Sequence, residues 1–149
     1  MIIEYKRVRD GAKVPVRSNP SDAGLDVFAC LDETFSLAPM QSFIIPTGLK
    51  FGIPHGYMLQ VMNRSSIAAK RGLVVGAHVI DSGYDGEVFI NIHNISNQHQ
   101  ILRDGMKIAQ LVMIPVVSFR PHEIREDELY LRPITISDRG DGALGSTGG

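Results

Sequence analysis

The chain has 149 residues, the length of one ordinary domain, and 44% of them are hydrophobic against 21% charged. This composition excludes a wholly disordered chain, and the formal net charge of −1 argues against sequence-independent duplex binding, which needs a concentrated basic surface. The single cysteine, Cys30, excludes an intramolecular disulfide framework and a thiolate zinc cluster. No apolar run approaches the ~20 residues of a membrane span, and the amino terminus lacks a signal-peptide pattern. We therefore expect a cytoplasmic protein (host cytoplasm if it is viral) with no nucleic-acid or membrane partner.

Short apolar segments separated by glycine- and proline-rich turns predict an all-β domain. In residues 87–94, Val88, Ile90 and Ile92 face one way and Glu87, Asn91 and His93 the other, which is the period of a half-buried strand. The predicted strands are Ile2–Val8, Leu25–Ala29, Ser42–Pro46, Tyr57–Met62, Val74–Ile80, Glu87–Asn94 and Lys107–Val117.

One short helix and a distinct final segment complete the predicted organisation. Ser65 and Ser66 can cap the N-terminus of the helix, and Gly72 suits its C-cap. Residues 137–149 are glycine-rich and carry one large apolar residue, Leu144, so they cannot bury enough surface to fold alone. We predict a β domain over residues 1–136 and a flexible arm over residues 137–149.

Two segments have side chains suited to a phosphate-bearing ligand. NRSSIAAKRG, residues 63–72, places Arg64 and two serine hydroxyls at a helix start, where anions are stabilised, although the same serines also suit a simple cap. The final segment follows Arg139 with glycines and with the hydroxyls of Ser146 and Thr147. A guanidinium, hydroxyls and closely approaching backbone amides are the groups that bind a phosphate chain, yet a frayed terminus has the same composition.

A turn flanked by two predicted strands carries the candidate for acid–base chemistry. Asp81 stands where an apolar run ends, so we expect a partly buried carboxylate that orients a water as general base. Aspartates also favour turns, so a purely structural role stays open. Asp26 can face a hydrated Mg2+ ion, which needs few protein carboxylates when substrate phosphates bind it.

Five segments in succession resemble the five motifs of the homotrimeric deoxyuridine triphosphatase (dUTPase) family. They extend from Ala23 to Gly148 and read AGLDVFA, NRSSIAAKRG, VIDSGYDGE, GMKIAQLV and RGDGALGSTG. The resemblance implies a jelly-roll-like β-clip fold and a hydrolase that converts dUTP to dUMP and pyrophosphate. That reaction keeps uracil out of DNA and supplies dUMP for thymidylate synthesis. The resemblance also implies a homotrimer whose sites are shared between subunits.

The resemblance assigns a role to each matching residue. Asp81 is expected to orient the water that attacks the α-phosphorus, Tyr84 to stack under the deoxyribose, and Asp26 to face, through water, an Mg2+ ion held mainly by the substrate. Segment 76–80 is expected to bind uracil through backbone groups. The implied substrate-binding residues besides Tyr84 are Arg64, Ser65, Ser66, Gly76, His78, Ile80 and Gln110, with Arg139, Leu144, Gly145, Ser146 and Thr147 in the arm.

Departures from the family pattern keep two alternatives open. Asn63 stands where the family often has Gly or Pro, Gly83 where an acid is frequent, and Leu144 where Phe covers uracil. The first alternative is a dCTP deaminase-related enzyme of the same fold, although deaminases carry a catalytic glutamate where this chain has Asn91. The second alternative is a non-catalytic regulator that binds a protein partner.

Overall fold

The computed structural model describes residues 1–125 and Leu129. The chain divides into two compact units, residues 1–118 and 119–149, and the described residues of the second unit form neither helix nor strand. The predicted arm, with Arg139, Leu144, Gly145, Ser146 and Thr147, lies outside the described residues. Its boundary at residue 136 therefore stays a prediction. In the described part of the chain, no helix has the length and apolar character needed to cross a membrane.

Residues 1–118 fold into eleven short strands and one helix. In chain order the elements are β1 (Glu4–Arg7), β2 (Leu25–Phe28), β3 (Phe35–Leu37), β4 (Ser42–Pro46), β5 (Leu49–Gly52), β6 (Tyr57–Met62), α1 (Ser65–Arg71), β7 (Leu73–Val75), β8 (Val79–Ile80), β9 (Phe89–Asn94), β10 (Gln100–Leu102) and β11 (Lys107–Pro115). The strands form four antiparallel sheets, ordered β1–β5, β3–β10, β2–β11–β6–β8 and β4–β9–β7. The all-β prediction with one short helix is confirmed.

The strand predictions differ from the structure in two ways: three short strands were missed, and one predicted strand is two strands. Strands β3, β5 and β10 were not predicted, because three or four residues are too few to show an alternating pattern. Segment Val74–Ile80 was predicted as one strand but contains most of β7 and all of β8, which belong to different sheets. The backbone leaves the first sheet after Gly76, whose N–H donates to the Asn91 carbonyl at 2.9 Å. It enters the second at His78, whose carbonyl accepts from the Val61 N–H at 2.8 Å.

The hydrophobic core is built by the inward faces of these sheets. Val88, Ile90 and Ile92 are buried as the alternation predicts, whereas Phe89 between them is exposed. In the four-stranded sheet, β11 lies between β2 and β6, so Gln110 is paired with Asp26 on one side and Met62 on the other. This row brings two residues of the predicted site together.

Helix α1 follows β6 directly and depends on contacts beyond itself, because seven residues are too few for a stable isolated helix. Its N-cap is Arg64, which makes no side-chain capping bond, so the predicted serine cap is wrong. The predicted C-cap at Gly72 is confirmed, with a left-handed φ of 63°. Ile67 anchors the helix in the core, and Arg71 donates to the Ile101 carbonyl at 2.7 Å.

Candidate active site

A polar cleft of about 280 Å³ lies between the start of β2 and the start of α1. Strand pairing brings Asp26 beside Gln110, and the end of β6 leads directly to Arg64. We call this the β2–α1 cleft, defined by Asp26, Arg64, Ser65, Ser66 and Gln110. The structure therefore brings together the described residues that the resemblance assigned to the phosphate chain and the metal.

Asp26 is the electrostatic centre of the β2–α1 cleft. Its Oδ1 accepts from Arg64 Nε at 2.9 Å, its Oδ2 lies 3.0 Å from Lys107 Nζ, and Ser18 Oγ donates to Oδ2 at 3.2 Å. Burial of this carboxylate raises its pKa, but the hydrogen bond from Lys107 and the charge of Arg64 outweigh burial. The pKa of Asp26 consequently lies below its ordinary value. Asp22 also lines the cleft, so two carboxylates balance the charges of Arg64 and Lys107, and the groups that suit an anionic ligand are the Arg64 guanidinium and the serine hydroxyls.

Two residues that hold the β2–α1 cleft together were not singled out as site residues from the sequence. Asn63 Oδ1 accepts from the Val75 N–H at 2.8 Å, and the Asn63 carbonyl accepts from Gln110 Nε2 at 2.9 Å. Asn63 therefore joins β6, β7 and β11, which explains why an amide stands where Gly or Pro is frequent. Lys107 lies within the fourth matching segment, GMKIAQLV, and that position was the available signal.

A second, smaller pocket of about 210 Å³ lies at the turn between β8 and β9. We call it the hairpin pocket, defined by Val79, Ile80, Asp81, Tyr84 and Phe89. Tyr84 is 46% exposed, and its hydroxyl donates to the Glu87 carbonyl at 2.8 Å. Asp81 is exposed in this chain, so the expected partial burial is wrong: Asp81 lies past the last paired residue of β8, in the turn itself.

One hydrogen bond and one ion pair stabilise the turn that carries Asp81 and Tyr84. The Tyr84 N–H donates to the Asp81 carbonyl at 3.2 Å, and Gly83 between them has φ 86°. This is the pattern of a type II turn, in which glycine at the third position avoids strain. Asp85 forms an ion pair with Lys50 at 2.5 Å. The fixed turn gives the two side chains defined positions at the mouth of the pocket.

The segment expected to bind a base through its backbone crosses from one sheet to the other. A side chain on Gly76 would overlap those of Asn91 and His93, which are joined by an Nε2 to Oδ1 contact of 2.8 Å. His78 has its Nδ1 3.2 Å from the Val61 carbonyl, and Ile80 pairs with Leu59. Glycine at position 76 is thus required by the close approach of β9.

The β2–α1 cleft and the hairpin pocket are separate in one chain. Ile80, the residue before Asp81, pairs with Leu59, whereas Arg64 lies five residues beyond Leu59, after the end of β6. At ~3.3 Å per extended residue this corresponds to roughly 15–20 Å. The structure therefore brings the predicted site residues together as two groups and does not bring the groups to each other.

Comparison with known proteins identifies the family of this chain. The sequence profile of the dUTPase family matches residues 10–148. The deoxyuridine 5'-triphosphate nucleotidohydrolase of Wolbachia pipientis subsp. Culex pipiens (strain wPip) is 35% identical over 150 residues, which is 98% of this chain and 95% of the relative. The chain belongs to the dUTPase family.

Solved dUTPase structures have the same fold. A mutant dUTPase of Staphylococcus bacteriophage 80alpha, determined with dUpNHpp, matches with a TM-score of 0.81 and 28% identity over 99% of this chain and 98% of that one. A mutant dUTPase from phage phi11 of S. aureus, described with a coordinated structural Mg(II) ion, has a TM-score of 0.78 and 27% identity over 86% of this chain and 99% of that one. The predicted dUTPase fold is confirmed. Among the described residues of this chain, no three His, Cys, Asp or Glu residues are grouped to hold a metal.

Proposed function

We propose that this chain hydrolyses dUTP to dUMP and pyrophosphate. The proposal rests on family membership and on one structural observation: the motif residues form a polar cleft with a guanidinium and two serines, and a separate pocket with a carboxylate and an exposed aromatic residue. The first suits a triphosphate, and the second suits a nucleoside together with an attacking water. Combined in one site, the two groups supply the parts that phosphoryl hydrolysis needs, which are positioning and charge neutralisation.

Asp81 is the proposed general base. Its carboxylate accepts a proton from a water while the water oxygen forms a bond to the α-phosphorus. The bond from the α-phosphorus to the bridging oxygen breaks, and pyrophosphate leaves with that electron pair. The exposed position of Asp81 at the mouth of the hairpin pocket leaves its carboxylate accessible to water and substrate.

The β2–α1 cleft is the proposed site of the phosphate chain. Arg64 offers a guanidinium, and the exposed residues Ser65 and Ser66 offer hydroxyls. Gln110, on the central strand β11, lines the same cleft. Magnesium, when bound with the triphosphate, neutralises phosphate charge and favours departure of pyrophosphate. Both oxygens of Asp26 already contact cations, so this carboxylate suits a water-mediated role better than direct ligation.

The hairpin pocket is the proposed site of uracil and deoxyribose. Its volume is small, and the exposed ring of Tyr84 offers a flat face at its mouth. We propose that the sugar stacks on this ring, and that backbone groups of Gly76, His78 and Ile80 contact the base. Close packing then excludes the ribose 2'-hydroxyl and the thymine methyl group because neither has space.

We propose that the protein is a homotrimer in which each site combines groups from different subunits. The separation between Arg64 and Asp81 within one chain supports this proposal, since a single α-phosphorus must be near both. A candidate contact surface lies on the β4–β9–β7 sheet, where Ile44 is 61% exposed and Phe89 is 43% exposed on neighbouring strands. The arm, with Arg139 and the hydroxyls of Ser146 and Thr147, is proposed to close over the γ-phosphate.

Mixing two inactive variants is expected to restore activity. Asp81→Asn removes the base from the hairpin pocket, and Arg64→Ala removes the guanidinium from the β2–α1 cleft. In randomly mixed trimers, about a quarter of the sites combine an intact pocket with an intact cleft, so roughly that share of wild-type activity should return. Refolding the variants together and separately measures this, with light scattering to confirm the trimer. A mixture as inactive as its components would contradict the shared site.

A panel of four nucleotides tests the proposed reaction. The protein should release pyrophosphate from dUTP, with kcat/KM for UTP and dTTP lower by at least ~10-fold because one added hydroxyl or methyl must be accommodated. It should release no ammonia from dCTP, because the amide of Asn91 cannot transfer protons as a glutamate does. Ammonia release would favour the deaminase alternative, and inactivity towards all four would favour the regulator. Equal kcat/KM for dUTP and UTP would contradict the role of Tyr84.

A further inference from the structure

An irregularity of the sheet brings Lys107 to Asp26, a residue of the β2–α1 cleft. Along β11, Lys107 pairs with Phe28 and Gln110 pairs with Asp26, with a register shift between Lys107 and Ala109. Phe28 and Asp26 are two residues apart and share a face, whereas Lys107 and Gln110 are three apart and would face opposite ways in a regular strand. The bulge therefore turns Lys107 towards Asp26, and such bulges commonly re-aim a side chain next to a functional site.

The contacts of Lys107 complement those of Arg64. Lys107 Nζ lies 3.0 Å from Asp26 Oδ2, while Arg64 Nε donates to Asp26 Oδ1 at 2.9 Å. The Asp26 side chain is only 13% exposed, so its charge needs a partner. With Lys107 present, Asp26 keeps a cation when the Arg64 guanidinium turns towards a phosphate.

We infer that Lys107 is a positioning residue for the triphosphate: it neutralises Asp26 and so releases Arg64 to bind phosphate. This inference rests on the proposed function of the β2–α1 cleft. Without Lys107, Asp26 depends on Arg64 alone, and the surroundings of the cleft lose one positive charge. Both effects weaken binding of the phosphate chain, and neither acts on the base at Asp81.

Lys13 provides a matched control for the loss of charge. Its Nζ lies 5.5 Å from the centre of the Phe28 ring, and Lys107 Nζ lies 6.0 Å from the same centre. Lys13 Nζ donates to the Gly105 carbonyl at 3.5 Å rather than contacting Asp26. Lys107→Met and Lys13→Met thus remove the same charge from one neighbourhood, but only the first removes a partner of Asp26.

The experiment measures binding of dUpNHpp and of inorganic tripolyphosphate by calorimetry without added metal. Lys107→Met should raise Kd roughly tenfold, which is the loss of affinity expected when one charge-assisted hydrogen bond is removed. Lys107→Arg and Lys13→Met should stay within about twofold of wild type, since each leaves Asp26 with its second cation. With dUTP and magnesium, Lys107→Met should raise KM and leave kcat nearly unchanged.

Two results would overturn the inference. One is equal binding by Lys107→Met and Lys13→Met, and the other is loss of binding in Lys107→Arg equal to that in Lys107→Met. If Lys107→Met does not fold, Lys107→Gln replaces it and must show the same weakening, with an unchanged Tm. Failure of the wild type to hydrolyse dUTP contradicts the proposed function instead, and the tripolyphosphate comparison still tests Lys107 independently.

Discussion

Asp81→Asn is expected to reduce kcat for dUTP hydrolysis by ~100-fold or more, the usual size of a general-base contribution. An amide can hold the attacking water by a hydrogen bond, but it cannot accept the proton that the water loses. Because Asp81 is exposed in the turn and lies outside the core, the substitution should leave the fold and Tm unchanged. Steady-state kinetics and thermal melting measure the two quantities, and the loss should appear in kcat rather than KM.

Asp85→Asn is the matched control for that substitution. Asp85 lies in the same turn and is exposed, but its carboxylate is paired with Lys50 and does not line the hairpin pocket. We expect this variant to retain nearly full kcat. Calorimetry with dUpNHpp should show that Asp81→Asn still binds nucleotide. More than about a tenth of wild-type kcat in Asp81→Asn would exclude Asp81 as the base, because general bases contribute more than that.

Local patterns along the chain predicted those parts of the fold that depend on local chemistry. The alternation of Val88, Ile90 and Ile92 predicted β9, and the left-handed preference of glycine predicted the C-cap at Gly72. The division of Val74–Ile80 into two strands was not predictable from its apolar run. That division is associated with the approach of Asn91 and His93 to Gly76, and both come from a strand further along the chain.

The positions of the predicted site residues also depend on strand pairing between distant parts of the chain. Arg64 and Asp81 are both predicted site residues, yet the pairing of β6 with β8 separates them within one chain. Asp26, Arg64 and Lys107 are distant in sequence, and the order β2–β11–β6 brings them into contact. The resemblance supplied the role of Asp26 and Arg64. It did not predict the contact between Lys107 and Asp26, because that contact depends on a bulge in β11 that no residue pattern indicated.

Removing residues 139–149 is expected to lower kcat/KM for dUTP far more than it lowers stability. The described residues already form the core, the β2–α1 cleft and the hairpin pocket, so Tm should change little. The β2–α1 cleft has one guanidinium for three phosphates, and Arg139, Ser146 and Thr147 are the residues expected to complete it. Losing several contacts to the γ-phosphate together should cost roughly a hundredfold or more, because a single donor of this kind already contributes that much.

Leu144→Phe, a substitution in the same arm, is expected to strengthen substrate binding, whereas removal of the arm weakens it. If the arm closes as proposed, leucine would cover the base by area alone, whereas an aromatic ring would also stack on it, which adds about 1 kcal/mol. We therefore expect a modest decrease in KM for this variant, with kcat unchanged. Steady-state kinetics of the wild type, Leu144→Phe and the shortened chain separate closure of the arm from the chemical step. If the shortened chain keeps full kcat/KM, the arm is an ordinary terminus and the γ-phosphate must be bound by the β2–α1 cleft alone.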